Sequence, residues 1–336
     1  MKKTLFALAF LLSFSATAGA QTIFNAAGAT FPAPIYQKWF EMYHDAHSNV
    51  QVNYQALGSG AGVTQLTAGT VDFGASDFPL TDDQISKMNT KALHFPTVVG
   101  AVVPTYNIPG VTADLRFTSK ALAGIFLGTI TKWNDPEIGK ANPNVKLPGD
   151  DIIVVHRSDS SGSSFIFTDF LSKVSPAWKS KVGVGAAPSW PVGLGGKGSD
   201  GLTGLIKQTP DSIGYVELYY ALQNKVSFGA VQNAAGKFLK ADLAGVTAAA
   251  AAAAKVMPAD FRVSITNAPG ATSYPICSFT WLLIPAQFSD TAKRDAVKNF
   301  LNWMLTDGQN VNESMSYGKL PALVVAKEKA QVAMIK

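Results

Sequence analysis

Four short segments of the chain combine glycine with serine or threonine, as a site for an anion would require. They are residues 28–32, 58–62, 160–164 and 74–77, and the first three come directly before a helical pattern or its start. The first N–H groups of a helix lack partners within the helix, and the helix dipole places partial positive charge on them. Taken singly, each segment predicts only an N-cap. Their recurrence indicates helix ends that converge on a tetrahedral oxyanion, with hydroxyl groups as further donors.

Two charged residues accompany the segment at 160–164. Arg157 ends a predicted strand at residues 152–156 and lies four residues before Ser161. Its guanidinium has the geometry to donate two parallel hydrogen bonds to the oxygens of a phosphate group. Asp159 is spaced to pair with Arg157 and to hold the guanidinium plane. An ordinary surface ion pair explains these two residues equally well when they are taken alone.

The segment at 74–77 ends in a carboxylate, Asp77, which is unexpected in an anion site. A carboxylate repels a dianion unless the anion carries a proton that the carboxylate can accept. Phosphate near neutral pH keeps at least one proton and sulfate keeps none, so a buried acceptor penalises sulfate. By analogy with sites that recognise a hydroxyl group, the discrimination reaches roughly 10⁴-fold. The alternative is that Asp77 caps the turn before Pro79.

These segments lie between strands and helices that alternate along the chain. Alternation of this kind indicates an α/β fold. A tract of seven alanines at 248–254 favours helix by propensity, and we interpret it as a surface helix or loop without chemistry. Strands are predicted at residues 50–54, 72–75, 152–156, 214–217 and 279–284, and helices at 63–68, 81–88, 165–173, 218–223 and 291–305, with a last helix after Pro321.

The length of the chain predicts two domains rather than one compact core. Two apolar stretches, residues 95–103 and 274–284, are long enough to cross between domains. Two crossings place both termini in one α/β domain and make the residues between them an inserted α/β domain. Because two crossing strands can bend while each domain stays rigid, we expect a hinge. The terminal domain is predicted at 21–97 and 277–336, and the inserted domain at 98–276.

The first twenty residues read as an export signal rather than as part of the fold. Lys2 and Lys3 precede an apolar stretch at residues 5–14, and small residues follow at 18–20. This order predicts a signal peptide of residues 1–20 that is cleaved before Gln21.

The charge and the cysteine content exclude several other classes of protein. The net charge is +5, and the basic residues are scattered without runs, which argues against a nucleic-acid partner. The four histidines lack metal-ligand spacing, so we expect no metal site. The single cysteine, Cys277, lies in an apolar run and is expected to be a buried structural thiol.

Four strings of residues closely resemble signatures of the periplasmic phosphate-binding proteins of ABC transporters. They are residues 27–34, 71–77, 190–198 and 213–217, and the resemblance extends over essentially the whole chain after residue 20. It implies the two-domain periplasmic-binding-protein (Venus-flytrap) fold and a location in the periplasm. It also implies that the protein delivers inorganic phosphate to inner-membrane permease subunits, as a monomer without a cofactor and without enzymatic activity.

The resemblance further implies which residues hold phosphate. Asp159 is expected to support the guanidinium, and the family pattern differs at two positions: Ser163 replaces a frequent Thr, which keeps the hydroxyl, and His156 replaces a frequent second Arg. The implied ligands are Thr30, Phe31, Ser59, Asp77 as the proton acceptor, Arg157, Ser161, Gly162 and Ser163.

Three other functions fit parts of the sequence less well. A phosphatase-like hydrolase would use Ser161, Asp159 and His156 as a triad, but these residues lie within six positions of each other without a Gly-x-Ser-x-Gly elbow. A P-loop at residues 191–198 fails because Gly198 follows Lys197 where Ser or Thr is required; this glycine-rich loop is expected to border the cleft or contact the transporter. A surface adhesin would need neither a buried Arg nor a buried Asp.

Overall fold

The structure is a computed structural model that describes residues 21–336. The predicted signal peptide lies outside the described residues. The strands are β1 (Thr22–Gly28), β2 (Val50–Ala56), β3 (Phe73–Ser76), β4 (Ala92–Asn107), β5 (Arg116–Phe117), β6 (Ile153–Arg157), β7 (Leu194–Gly196), β8 (Ser212–Glu217), β9 (Ser227–Phe228), β10 (Ala230–Gln232), β11 (Phe238–Leu239) and β12 (Cys277–Pro285).

Helices alternate with these strands, as the sequence pattern predicts. They are α1 (Ala33–Ala46), α2 (Ser59–Thr67), α3 (Asp82–Ser86), α4 (Ser119–Phe126), α5 (Pro136–Ala141), α6 (Gly162–Val174), α7 (Pro176–Lys181), α8 (Gly198–Gln208), α9 (Leu218–Gln223), α10 (Leu243–Ala254), α11 (Thr291–Met304) and α12 (Ala322–Val332), with 3-10 helices at Asp307–Val311 and Glu313–Met315. No helix within residues 21–336 is both long and apolar enough to cross a membrane.

One mixed sheet of nine strands organises the molecule. Its order is β2-β1-β3-β12-β4-β8-β6-β7, with β9 paired to β4, and a small sheet β11-β10-β5 lies apart from it. β1 pairs parallel with β2 and β3, and β6 pairs parallel with β7 and β8. Parallel strands end at the same edge of a sheet, where ligands bind in open α/β folds. The ends of β1, β2 and β3 carry three of the segments that the sequence analysis selected. The fourth follows the end of β6, which runs in the opposite direction to β1, β2 and β3.

The long strand β4 joins the two halves of this sheet. Residues 92–101 pair with β12, and from Val102 onward the strand pairs with β8. The N–H of Val102 also donates to the carbonyl of Ile276 at 2.8 Å, directly before β12 begins. We call β2, β1, β3 and β12 the first half of the sheet and β8, β6, β7 and β9 the second half.

Aromatic side chains fill the core on both halves. In the first half, α1 buries Tyr36, Trp39 and Phe40 against the sheet, and the indole N–H of Trp39 donates to the carbonyl of Gly308 at 2.7 Å. Burying large apolar surface is the main favourable term in folding. Because α1 is anchored along its length, the turn that precedes it is fixed in position.

The alanine tract is a helix, as its composition predicts, with Ala251 exposed on one face and the opposite face buried. It forms the second half of α10, and Ala249, Ala250, Ala253 and Ala254 are buried. The helix packs on β4 and β12. Small side chains allow this close approach of a helix to the strands that join the two halves.

Helix α2 begins earlier than the sequence pattern suggests. The prediction has a turn at residues 58–62 and a helix from residue 63, whereas α2 begins at Ser59. Gly58 has a φ of 101°, a conformation that glycine adopts readily, and this allows a tight entry into the helix. The early start places the free N–H groups of the first turn near residue 59 rather than near residue 63.

Candidate anion-binding site

The turn between β1 and α1 carries Thr30 and Phe31, both of which are buried. Gly28 ends β1 in a position where a Cβ atom would overlap the backbone of Ala75 on β3, so only glycine permits this approach of the two strands. In the described chain, neither the Thr30 N–H nor the Phe31 N–H donates to a protein acceptor. Buried N–H groups without partners carry a desolvation cost that a bound acceptor removes.

Ser59 lies in the first turn of α2 and is completely buried. Its hydroxyl accepts from the N–H of Asp77 at 3.1 Å and donates to Asp77 Oδ2 at 3.3 Å. The residue therefore links the start of α2 to the end of β3.

The Asp77 carboxylate lies at the end of β3 with 1% of its surface exposed. Thr280 on β12 donates to its Oδ1 at 2.8 Å. Burial raises the pKa of Asp77 to about 7, although the hydrogen bonds from Thr280 and Ser59 and the charge of Arg157 lower it in part. The carboxyl group therefore changes its protonation state near neutral pH.

The alternative that Asp77 is a capping residue is wrong, because its carboxylate bonds to Thr280 and Ser59. Helix α3 is capped by Thr81 instead, in a capping box with Gln84.

Arg157 ends β6 with its guanidinium fixed in one plane. Nε donates to Asp159 Oδ1 at 2.7 Å and Nη2 donates to Oδ2 at 2.5 Å, and the two side chains are only 2% and 14% exposed. The N–H of Gly198, at the start of α8, donates to Asp159 Oδ1 as well. This pair is buried, so the alternative of an ordinary surface ion pair is wrong. Within the described residues Nη1 has no protein acceptor and remains a donor for a ligand.

The N-terminus of α6 completes the site. Ser161 is the N-cap, and its Oγ accepts from the N–H of Ser164 at 3.2 Å. The next residue, Gly162, lies so close to the first half that a Cβ atom there would overlap both the Asp77 carboxylate and the Ser59 hydroxyl. The Ser163 hydroxyl is buried and has no hydrogen-bond partner in residues 21–336.

All eight candidate ligand residues are thus buried, and contacts at or beside them join the two halves of the sheet. Thr30 Oγ1 lies 2.8 Å from Ser199 Oγ at the start of α8, and the Gly60 N–H donates to the Ser160 carbonyl at 3.0 Å. The two halves are therefore closed on each other. The cluster offers N–H groups, hydroxyl groups, one guanidinium and one carboxyl of near-neutral pKa, which is the donor set for a partly protonated oxyanion.

Several residues in contact with this cluster were not selected from the sequence. Thr280 lies where the register of β12 shifts, between Thr280 and Trp281. The sequence feature that could have indicated its role is a polar side chain inside an apolar strand. Gly198 ends the glycine-rich string at 190–198 and Ser199 follows it. Their contacts agree with the expectation that this loop borders the cleft. The partners of Ser199 and Thr280 depend on how distant segments pack, which no local pattern gives.

The residues do not form a metal centre. Among residues 21–336, no group of three or more His, Cys, Asp or Glu side chains is arranged to hold a metal ion. Cys277 is buried, and burial raises the pKa of its thiol. This agrees with the prediction of a structural thiol.

Comparison with known proteins identifies the family. A model of the PBP superfamily domain matches residues 15–308. A phosphate-binding protein PstS of Xylella fastidiosa is 43% identical over 307 residues, which cover 91% of this chain and 84% of that protein. The chain belongs to the PstS family. A second PstS protein, of Pasteurella multocida, is 42% identical over 333 residues, 98% of this chain and 96% of the relative.

A solved structure extends the comparison to the fold. A high-affinity periplasmic phosphate-binding protein with bound phosphate (PfluDING) matches with a TM-score of 0.73 and 21% identity, over 92% of this chain and 93% of that one. The prediction of the two-domain periplasmic-binding-protein fold is confirmed, and so is the resemblance on which it was based.

Proposed function

We propose that this PstS family member binds inorganic phosphate in the closed cleft and delivers it to the permease subunits of an ABC transporter. The observation that carries the proposal is the set of buried donors without protein acceptors around a carboxyl that can take a proton. The N–H groups of Thr30 and Phe31 and the Ser163 hydroxyl belong to this set. The relatives named phosphate-binding protein PstS support the same ligand.

Each candidate ligand residue has a role in this proposal. Arg157 donates from its free Nη1 edge while Asp159 holds its plane, and Asp77 accepts the proton of the anion. The main-chain N–H groups of the three helix starts supply donors without full charges. The complete set is Thr30, Phe31, Ser59, Asp77, Arg157, Ser161, Gly162 and Ser163, with Asp159 in support.

We propose a terminal domain of residues 21–97 and 277–336 and an inserted domain of residues 98–276. Phosphate bridges them, because Asp77 and Arg157 fall in different domains of this division. A ligand that contacts both domains favours the closed form. The change of partner along β4 between Ala101 and Val102 supports a hinge there.

The proposed location is the periplasm, reached through the signal peptide at residues 1–20, and the closed protein is proposed to dock on the permease as a monomer. The similar solved structure is that of a periplasmic phosphate-binding protein, which supports this location.

The hydrolase alternative has no support. The His156 ring stacks on Trp190, with ring centroids 5.0 Å apart, and its Nδ1 lies 3.0 Å from the carbonyl of Arg157. Ser161 Oγ accepts from the backbone of α6. A nucleophile requires a base within hydrogen-bond reach, and these two side chains make no such contact in the described chain. The PstS relatives are named as binding proteins.

Calorimetric titration with phosphate, with sulfate as the control anion, tests the proposal. We expect one phosphate per chain, and we expect Arg157→Gln to weaken binding by about 100-fold or more, since charged hydrogen bonds contribute about 1.5–3 kcal/mol each. Arg294→Gln is the matched control, because Arg294 is a partly exposed residue of α11 that pairs with Asp295. Wild-type protein that takes up no phosphate would refute the proposal.

Small-angle scattering curves with and without phosphate test closure. Identical radii of gyration would argue against the hinge.

A further inference from the structure

The carbonyl oxygen of Thr30 receives a hydrogen bond from a side chain far along the chain. The Tyr220 hydroxyl donates to it at 2.7 Å, although 190 residues separate the two. Tyr220 lies on α9, directly after β8, whereas Thr30 follows β1. The contact therefore joins the second half of the sheet to the turn that lines the anion site.

The carbonyl of Thr30 and the N–H of Phe31 belong to one peptide unit. In a trans peptide, the two groups point in opposite directions within one plane, and the described residues contain no cis peptide bond. A hydroxyl that fixes the direction of the Thr30 carbonyl thus fixes the direction of the Phe31 N–H. It also makes that N–H a stronger donor, because linked hydrogen bonds polarise one another.

The N–H group of the same peptide unit is available to donate to a ligand. The Phe31 N–H is buried and has no protein acceptor in residues 21–336. The Thr30 carbonyl accepts a second hydrogen bond, from the N–H of Ala33 at 3.2 Å, so it does not need Tyr220 in order to be satisfied. Tyr220 is therefore not needed to satisfy the buried Thr30 carbonyl. Because its hydrogen bond joins the two halves of the sheet, we expect it to affect closure and ligand binding.

We propose that Tyr220 is a positioning residue of the phosphate site, whose hydroxyl aims and polarises the Phe31 N–H toward the anion when the two halves close. The inference rests on the proposed function and adds a residue to it. Because the hydrogen bond forms on closure, it opposes reopening, and its loss accelerates phosphate release more than it slows phosphate entry.

The test compares Tyr220→Phe with Tyr219→Phe in the full chain. The two residues are neighbours on α9, and the Tyr219 hydroxyl makes no hydrogen bond in the described chain, while its ring stacks on Tyr317. Removing one neutral hydrogen bond predicts phosphate release about two- to tenfold faster for Tyr220→Phe in stopped-flow measurements, with an association rate close to that of the wild type. Tyr219→Phe should release phosphate at the wild-type rate.

A spectroscopic measurement separates positioning from a general loss of stability. In the phosphate complex, the amide proton of Phe31 should shift upfield in Tyr220→Phe, while the amide protons of Gly162 and Ser163 keep their resonances. Normal phosphate binding with an unchanged release rate and an unchanged Phe31 resonance would overturn the role of Tyr220 alone. Failure of the wild-type protein to bind phosphate would overturn both this role and the proposed function.

Discussion

Sulfate binding should depend on pH through Asp77, and phosphate binding should depend on it far less. Sulfate brings no proton, so it binds beside Asp77 only when that carboxyl group is protonated. The pKa of Asp77 is raised to about 7 by burial. Above pH 7, each further pH unit makes the protonated form tenfold rarer, which costs about 1.4 kcal/mol per unit. We therefore expect the sulfate affinity of the wild-type protein at pH 9 to be about 100-fold below its value at pH 5.

The variant Asp77→Asn removes the titrating group and keeps the size of the side chain. Its sulfate affinity should stay constant from pH 5 to pH 9, so its preference for phosphate at pH 9 should fall by about 100-fold relative to the wild type. At pH 6, where the wild-type carboxyl group is already protonated, the two proteins should differ little. Asp83→Asn is the matched control, since Asp83 is an exposed residue of α3 that pairs with Lys87.

The assay is calorimetric competition of sulfate against phosphate, at constant ionic strength and at pH 5, 6, 7, 8 and 9. A wild-type sulfate affinity that does not change between pH 7 and pH 9 would refute the reasoning. So would an equal slope in Asp77→Asn, because the titrating group would then be another residue.

Three further predictions follow from single contacts in the site. Gly162→Ala places a Cβ atom against the Asp77 carboxylate and the Ser59 hydroxyl, so we expect phosphate binding weakened by about 100-fold or more and no compaction in scattering when phosphate is added. Ser163→Ala removes a buried hydroxyl without a described protein partner. It should weaken phosphate binding by about 10- to 100-fold in calorimetry, while the melting temperature of the phosphate-free protein stays equal or rises. Finally, Asp77 binds more protons folded than unfolded between the ordinary aspartate pKa of 3.8 and about 7, so its share of the unfolding free energy falls as pH rises through that window. In denaturant titrations, the unfolding free energy of Asp77→Asn should therefore fall by up to about 4 kcal/mol less than that of the wild type across this window. An unchanged pH dependence would contradict the assignment.

The sequence predicts the parts of this site that are local. Ser59 and Ser163 stand beside glycines at helix starts, and Thr30 lies two residues after Gly28 in the turn before α1. A helix start has the same free N–H groups wherever the helix packs. The order of strands and helices is predictable for a similar reason, because the period of apolar residues reports which face of an element is buried.

What the sequence does not predict depends on contacts between distant segments. Tyr220 reaches the Thr30 carbonyl, and Thr280 reaches the carboxylate of Asp77, only through the pairing of β4 with β8 and of β12 with β3. The burial of Ala249 in α10 is a further case, since an alanine run has no apolar face that a pattern could reveal. The start of α2 at Ser59 depends on the conformation of Gly58, and glycine permits several.

The balance of charge explains why composition says so little about the ligand. The charge of Arg157 is offset by Asp159, and three helix starts contribute about half a positive charge each. The positive potential of the site therefore comes mostly from main-chain dipoles, which add nothing to the net charge of the sequence. A phosphate dianion and an ionised Asp77 together carry three negative charges, as a sulfate dianion and Asp77 would, but the phosphate proton lies between the two groups as a hydrogen bond. This hydrogen bond, and not the total charge, distinguishes phosphate from sulfate in the closed cleft. A carboxyl group with a pKa of about 7 makes the discrimination against sulfate smaller than the roughly 10⁴-fold expected for a carboxylate that stays ionised, and makes it dependent on pH.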